Sequence, residues 1–351
     1  MTLPSVRSYN QTVERLPKTA LICLALGLAA MPARAQNPSP PAPQPPPGQS
    51  RIPVLTERVS LNVTVTDRRH KFVTDLDRDD FKILEDGRPQ EVTNFSRQSD
   101  LPLRIGLLLD TSNSIRPRLR FEQDAAISFL DDVIRRGKDQ AFVMTFDNDP
   151  EVVQDFTDDL DLLTRAVEKQ RAGGTTALHD ALYVASDKLM KAPPPAGGGG
   201  EVRRVLVVIS DGDDNMSDHT LSETVERADR AGAVVYSIST NTDWLAVDGE
   251  APKNITKMHK THGDDVLEQF ADETGGRVFF PYRIDDLAQS FLDIGNELRS
   301  QYAIAYRPSN GVADGKYRKI RVELDRKGLN VRARKGYYAT VPSAAAQKPS
   351  S

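Results

Sequence analysis

Two nearly uninterrupted apolar runs constrain the fold of this 351-residue chain more than any other feature. They are RIGLLLD (104–110) and RRVLVVIS (203–210), and each has the length of one strand. Strands without a polar face occur in sheets that are covered on both sides, and such sheets are usually parallel and wrapped by helices. The two runs therefore predict an α/β core.

Helical and strand patterns alternate around these runs. We expect helices near 117–136, 159–170, 177–191, 219–231, 264–274 and 284–300, and further strands at 141–146, 151–156, 233–239 and 277–281. Such alternation favours an α/β fold with a doubly wound, mostly parallel sheet of the Rossmann-like kind, which we assign to residues 101–300. Ligands of these sheets bind at the carboxyl ends of the strands.

The segments on either side of this domain, 55–98 and 301–340, have a two-residue period instead. In RVSLNVTVTD (58–67) apolar and polar residues alternate, and Glu85-Asp86-Gly87-Arg88 is typical of a hairpin turn. Neither segment has enough strands for a sandwich of its own, but together they supply about six or seven. We therefore predict a small β-sandwich built from both flanks, with the α/β domain inserted between them.

The amino-terminal residues have the pattern of an export signal. Basic residues precede the apolar run TALICLALGLAAM, and Ala33-Arg34-Ala35 resembles a cleavage site, so we expect a signal peptide at 1–35. The apolar run is short for a transmembrane helix, which needs about 20 residues. We therefore expect a mature chain without a transmembrane helix, secreted or located in the periplasm or cell envelope.

Two further segments are too biased in composition to form a core. Residues 36–54 are rich in proline and are expected to form an extended linker, and residues 341–351 are expected to be a disordered tail.

The composition, 38% hydrophobic and 27% charged residues, is that of a globular protein. The one cysteine, Cys23, falls in the expected signal peptide, so the mature chain would have no disulfide. Removing 1–35 takes away four basic residues and one acidic residue, which changes the net charge from −4 to −7. An acidic exported chain is a poor candidate for binding nucleic acid or an anionic membrane.

Oxygen-bearing side chains follow the first apolar run. Asp110 ends the run, and Ser112 and Ser114 follow at alternate positions before a predicted helix. Carboxylate and hydroxyl oxygens are the ligands that a hard cation such as Mg²⁺ prefers. A purely local interpretation is also open, in which Ser114 caps the helix and Asp110 forms a turn.

Two other loops carry similar groups. A Gly-Gly turn delivers Thr175-Thr176 to the start of a helix, and the second apolar run ends at Asp211-Gly212. Each alone is compatible with a helix cap or a tight turn. Three such loops at the carboxyl edge of one sheet predict a metal site.

These residues resemble the metal-ion-dependent adhesion site of the von Willebrand factor A domain family, which has the pattern Asp-x-Ser-x-Ser, then a Thr, then an Asp. The matching residues are Asp110, Ser112, Ser114, Thr176 and Asp211, with Thr175 as the alternative threonine. The resemblance covers roughly 101–300. The flanks are similar to the exported bacterial branch of the family and extend it to about 55–340.

The resemblance implies that the hydroxyls bind Mg²⁺, or Mn²⁺, directly and that the aspartates bind it mostly through water. It also implies an open coordination position for an Asp or Glu carboxylate of a partner protein. We therefore expect a non-enzymatic protein of adhesion or protein interaction.

Several alternatives remain at this point. A Mg²⁺-dependent hydrolase would use Asp110 and Asp211, but the sequence has no complete phosphate-binding loop, no H-E-x-x-H and no G-x-S-x-G. A structural module with a vestigial site is the other alternative. Asp213, Asp214 and Asp218 could form a second ion site or a solvated loop. His259, His262 and Asp264 could form a transition-metal site or be solvated. The segment 241–262 is a candidate specificity loop.

Overall fold

The computed structural model describes residues 58–97, 101–195, 201–241, 260–281 and 284–339. The expected signal peptide, the linker and the tail at 341–351 lie outside the described residues, as does most of the loop at 241–262. Among the helices of the described ranges, none is both long enough and apolar enough to span a membrane.

The described residues form strands β1 (Val59–Thr66), β2 (Phe81–Glu85), β3 (Arg88–Gln90), β4 (Val92–Ser96), β5 (Leu103–Asp110), β6 (Gln140–Phe146), β7 (Pro150–Thr157), β8 (Arg203–Ser210), β9 (Ala233–Ser239), β10 (Val278–Phe279), β11 (Tyr302–Tyr306), β12 (Tyr317–Leu324), β13 (Asn330–Arg332) and β14 (Gly336–Tyr338). The helices are α1 (Leu119–Val133), α2 (Leu160–Glu168), α3 (Leu178–Met190), α4 (Leu221–Ala231), α5 (His262–Thr274) and α6 (Ile284–Ser300).

The central sheet has six strands in the order β10-β9-β8-β5-β6-β7. Every neighbouring pair is parallel except β6 and β7, which are antiparallel. The two apolar runs are the adjacent strands β5 and β8 at the centre of this sheet, and β5 is buried at every position. The predicted fold class is confirmed.

Helices cover both faces of the central sheet. Side chains of α1, α2 and α6 pack with Leu107 and Leu109 on one face, whereas α3, α4 and α5 pack with Leu108 on the other. Successive residues of a strand point to opposite faces, so both faces of β5 require apolar side chains. This is why the run in the sequence has no polar alternation.

The flanking segments form two four-stranded sheets, β13-β1-β11-β4 and β14-β12-β2-β3. Each sheet takes strands from both flanks, because β1 pairs with β11 and β2 pairs with β12. One apolar cluster, which includes Leu61, Phe81 and Tyr302, lies between the two sheets. The chain therefore completes one β-sandwich from two segments separated by the whole α/β domain.

The predicted hairpin turn joins β2 to β3. Asp86 and Gly87 both have positive φ, 48° and 79°, as a two-residue turn that follows the twist of the strands requires.

Several element boundaries differ from the sequence prediction by one to three residues, and the starts of two helices have a local cause. Helix α1 begins at Leu119 because a short 3₁₀ turn, Asn113–Ile115, precedes it. Helix α5 begins at His262 because the Thr261 hydroxyl accepts a hydrogen bond from the Asp264 N–H and caps the first turn.

A buried carboxylate joins the two parts of the structure. Glu297 of α6 is 1% exposed, and its Oε1 accepts hydrogen bonds of 2.9 Å from the hydroxyls of Thr64 in β1 and Tyr236 in β9. The guanidinium of Arg332 in β13 also donates to it. Glu297 thus ties the last helix to both the central sheet and the sandwich.

Candidate metal centre

The candidate site lies at the carboxyl edge of the central sheet, and its first residue is Asp110 at the end of β5. The Asp110 side chain is fully buried, and its Oδ1 accepts a hydrogen bond of 2.8 Å from the Ser112 N–H. This local bond turns the chain immediately after the strand. It places Ser112 and Ser114 in a loop above the sheet edge.

The serine hydroxyls connect this loop to the loop that follows β8. Ser112 Oγ and Ser114 Oγ share a hydrogen bond of 2.9 Å, and Ser114 Oγ donates one of 2.8 Å to Asp211 Oδ2. Ser114 lies inside the 3₁₀ turn and does not cap α1, whose first residue has no side-chain cap. The local interpretation of Ser114 is therefore wrong.

Ser210, which the sequence analysis did not single out, holds the two aspartate loops together. Its hydroxyl donates a hydrogen bond of 2.8 Å to Asp110 Oδ2 and accepts one of 3.1 Å from the Gly212 N–H. The position of Ser210 follows from the register of β5 and β8. Ile209 pairs with Leu109, so the next residue on each strand brings Ser210 beside Asp110.

The two candidate threonines have different partners. The Thr175 N–H and hydroxyl both donate to Asn148 Oδ1, at 3.1 and 2.7 Å. Thr176 is buried and exchanges hydrogen bonds of 3.1 Å with Asn215, which follows Asp211 on the same loop. Thr176 is therefore hydrogen-bonded to the Asp211 loop, whereas the Thr175 hydroxyl is hydrogen-bonded to Asn148.

Backbone packing leaves little freedom to the Asp211 loop. Gly212 has φ of +81°, and a Cβ atom there would lie 2.1 Å from the carbonyl oxygen of Gly263 in α5. Only glycine fits both the left-handed conformation and this contact.

The electrostatic environment favours a cation. Burial and, as a smaller contribution, the Asp211 charge raise the pKa of Asp110 to about 6, although hydrogen bonds from Ser112 and Ser210 oppose the shift. Two acidic groups close together at low solvent exposure repel each other, so a bound cation stabilises both in ionised form. A positive ion at this place would therefore reduce the repulsion between Asp110 and Asp211.

Arg118 and Glu122 of the α1 region lie within electrostatic reach of these aspartates and were not anticipated. The Arg118 guanidinium donates to the Thr240 carbonyl at the end of β9. Glu122 is completely buried, and burial raises its pKa to about 8 even though Arg118 opposes the shift. No sequence pattern marks either residue, because both positions fit an ordinary amphipathic helix.

Asp214, in the acidic run after Asp211, caps a helix. Asp214 Oδ2 accepts hydrogen bonds from the His179 N–H at 2.8 Å and the Ser217 hydroxyl at 2.6 Å, so it caps the first turn of α3. Asp180 in that turn accepts from the N–H of Asp218 in return. Across the described ranges, no group of three or more His, Cys, Asp or Glu side chains is arranged to hold a metal.

Of the possible transition-metal residues, Asp264 has hydrogen-bond partners of its own. Asp264 accepts hydrogen bonds from the Ser239 hydroxyl at 2.7 Å and the Thr261 N–H at 3.0 Å. His259 lies outside the described residues.

The spacing of the hydroxyl and carboxylate oxygens fits a magnesium ion. Neighbouring ligand oxygens around an octahedral Mg²⁺, each about 2.0–2.1 Å from the ion, lie about 2.9 Å apart. The separations of 2.9 and 2.8 Å along Ser112, Ser114 and Asp211 match that edge. Oxygens joined by a hydrogen bond lie at about the same separation, so the spacing is compatible with a shared cation but does not by itself indicate one.

Residues 105–213 match the sequence model of the von Willebrand factor type A domain family. No curated protein matches the chain. Among solved structures, an aerotolerance-related membrane protein from Bacteroides fragilis is 20% identical, with 56% of this chain and 98% of that chain covered and a TM-score of 0.42.

Two further structures are similar. A von Willebrand factor type A protein from Catenulispora acidiphila is 13% identical, with 81% of this chain and 73% of that chain covered and a TM-score of 0.45. The vWF domain of a type V pili tip protein from Porphyromonas gingivalis is 11% identical, with 56% and 94% covered and a TM-score of 0.42. At these identities and TM-scores, none of the three indicates what this chain binds.

Proposed function

The chain carries a von Willebrand factor type A domain, and from that premise we propose that it binds a divalent cation and, through the cation, a carboxylate of a protein partner. Asp110, Ser112, Ser114, Thr176 and Asp211 would hold Mg²⁺ or Mn²⁺. The observation that carries the proposal is the row of hydrogen-bonded side-chain oxygens of Ser112, Ser114 and Asp211, to which Asp110 is joined through the Ser112 N–H.

The composition of the site explains why it would bind an acid. Three of its five side chains are neutral hydroxyls, and bound cations are often the largest charge in a site. Two carboxylates that act mainly through water leave the ion with positive charge to attract an external anion. When bound, the ion would supply Lewis-acid attraction for an Asp or Glu side chain of the partner. The hydrogen bond from Ser210 to Asp110 and the one from the Thr176 N–H to Asn215 would orient the residues that hold the ion.

We propose binding without catalysis. A hydrolase needs a base positioned near the cation. The ring of His179 instead has its Nδ1 3.3 Å from the His219 carbonyl oxygen and packs edge-on against Phe270. We further propose export to the periplasm, cell envelope or exterior, since residues 1–35 have the sequence of a signal peptide.

Thermal unfolding of residues 36–351 in EDTA, Mg²⁺ and Mn²⁺ tests the proposal, with Asp110→Ala and Asp211→Ala as site variants. A ligand that binds only the folded state stabilises it by about 2.7 kcal/mol at a hundredfold excess over its dissociation constant. We expect metal to raise the midpoint of the wild type and of the exposed-loop control Asp213→Ala, but of neither site variant. An equal response of all four proteins would refute the assigned ligands.

A further inference from the structure

A cavity lies at the edge of the central sheet opposite to the candidate metal centre. It is a cleft of about 780 Å³ between the sandwich and the amino-terminal ends of the central strands. The start of β8 and the turn from α4 to β9 form one side, and β1, the end of β4, β11 and β14 form the other. Its volume is in the range of pockets that take a small organic ligand.

Arginine dominates the charge of this cleft. Its walls contain five arginines and two acids, namely Arg58, Arg203, Arg204, Arg230, Arg334, Glu201 and Asp229. A concave surface with an excess of one charge concentrates small ions of the opposite sign. The cleft is therefore suited to an anion.

Arg203 has unused hydrogen-bonding capacity. It is 2% exposed, and its Nη1 donates to the Leu298 carbonyl, whereas its Nε and Nη2 have no hydrogen-bond partner among the described residues. These two nitrogens form one edge of the planar guanidinium, the edge that binds a carboxylate or phosphate with two parallel hydrogen bonds. Because this edge is shielded from water, a ligand reaches it only after a local shift of the wall.

Arg334 has a similar free donor on the other side of the cleft. Its Nη2 donates a hydrogen bond of 2.9 Å to the Ser60 carbonyl, and its Nε has no partner among the described residues. Its guanidinium lies over the Tyr337 ring, 5.7 Å from the centroid, and this stacking limits its movement. A donor fixed in this way needs little ordering when a ligand binds.

The two acids cancel only part of the charge of the five arginines. Glu201 accepts a hydrogen bond from the Ser60 hydroxyl and keeps its negative charge. Asp229 is 5% exposed, and neither of its oxygens has a partner in the described part of the chain. Burial raises the pKa of Asp229 to about 7, so near neutral pH this carboxyl repels an anion less than an ordinary aspartate does.

We propose that the cleft between the sandwich and the central sheet binds a small oxyanion, a carboxylate or phosphate compound, on Arg203 and Arg334. The free guanidinium edge of Arg203 takes the oxyanion, and the rings of Phe95, Tyr337 and Tyr338 offer apolar surface to the rest of the ligand. This site is separate from the candidate metal centre and does not depend on a bound cation.

The test is thermal unfolding of residues 36–351 in EDTA, with inorganic phosphate in one series and citrate in another, at constant ionic strength set with chloride. We expect at least one of the two anions to raise the midpoint with a saturable dependence on concentration. Response to phosphate alone identifies a phosphate site, and response to citrate alone identifies a carboxylate site. The absence of a saturable shift with both anions overturns the proposal.

Two variants and a control decide whether the response belongs to this cleft. Arg203→Gln and Arg334→Gln should each raise the apparent dissociation constant at least tenfold. Arg321→Gln, on an exposed position of β12, should leave it unchanged. If Arg203→Gln does not fold, Arg334→Gln still gives the answer, and wild-type affinity in a folded Arg334→Gln protein overturns the proposal.

Discussion

The Ser114 hydroxyl donates a hydrogen bond of 2.8 Å to Asp211 Oδ2, across a separation of 97 residues in the sequence. The bond is possible because β5 and β8 are adjacent and parallel, so the loops after both strands leave the sheet at the same edge. The candidate metal centre is therefore a product of strand order, and its integrity depends on the contacts that hold the two loops.

Replacing the two threonines separately should distinguish their roles. Thr176→Ala should abolish most of the Mg²⁺-induced rise in the unfolding midpoint, since Thr176 is fastened to the Asp211 loop. Thr175→Ala should retain it, because the Thr175 hydroxyl binds Asn148. Thermal unfolding in EDTA and in Mg²⁺ measures both. The reverse pattern would make Thr175 the ligand.

Ser210→Ala should destabilise the protein even without metal. The substitution leaves Asp110 Oδ2 and the Gly212 N–H without their present partner in a buried place, and an unsatisfied buried polar group costs about 1–3 kcal/mol. Urea unfolding in EDTA gives the change in free energy. Ser217→Ala, with a hydroxyl that bonds at a less buried position, is the control and should cost less.

Gly212→Ala should be far more damaging than Gly137→Ala. Both glycines have positive φ, +81° and +76°, so both substitutions carry the strain of a left-handed residue, about 1–2 kcal/mol. Only Gly212 also faces backbone, with the Gly263 carbonyl 2.1 Å from the added Cβ, whereas nothing lies within 4 Å at Gly137. Equal midpoints for the two variants in urea would contradict this close packing.

Glu122→Gln should alter how stability depends on pH. Burial raises the pKa of Glu122 from 4.5 to about 8, so the folded state holds a proton that the unfolded state releases. The wild type therefore loses stability as the pH rises from about 4.5 towards 8, by up to about 1.4 kcal/mol per pH unit from this group. The variant lacks the contribution of this group.

The free energies of unfolding of wild type and Glu122→Gln, measured in EDTA at pH 5, 6.5 and 8, test this sign. The difference should move in favour of the variant as the pH rises. A constant difference would mean that Glu122 does not titrate in this window.

Glu297→Ala should weaken the attachment of α6 to the sandwich. It removes the acceptor shared by Thr64, Tyr236 and Arg332, and breaking a buried ion pair from one side costs about 3–5 kcal/mol. Asp293→Ala, a substitution on α6 of a residue that bonds only within the helix, should cost under about 1 kcal/mol. Similar urea midpoints for the two would argue against a structural role for Glu297.

The architecture can be predicted from the amino-acid sequence, because burial imposes a periodic pattern of apolar residues. A strand covered on both faces must be apolar throughout, as β5 is, and a strand with one face on a core alternates, as β1 does. The turn at Asp86-Gly87 is equally local, since its backbone angles are set by the residues themselves. The candidate ligands were visible because Asp110, Ser112 and Ser114 belong to a short motif.

The side chains that support this motif are identified by tertiary contacts. Ser210 bonds to Asp110 across 100 residues of sequence, and Arg118 reaches the Thr240 carbonyl across 122. Asp214 caps a helix that begins 36 residues before it. In the sequence this role cannot be told from the other acidic residues of the same loop. Such contacts arise when strand order and packing bring distant segments of the chain together. They leave no periodic pattern and no fixed spacing in the sequence, so they cannot be predicted from it.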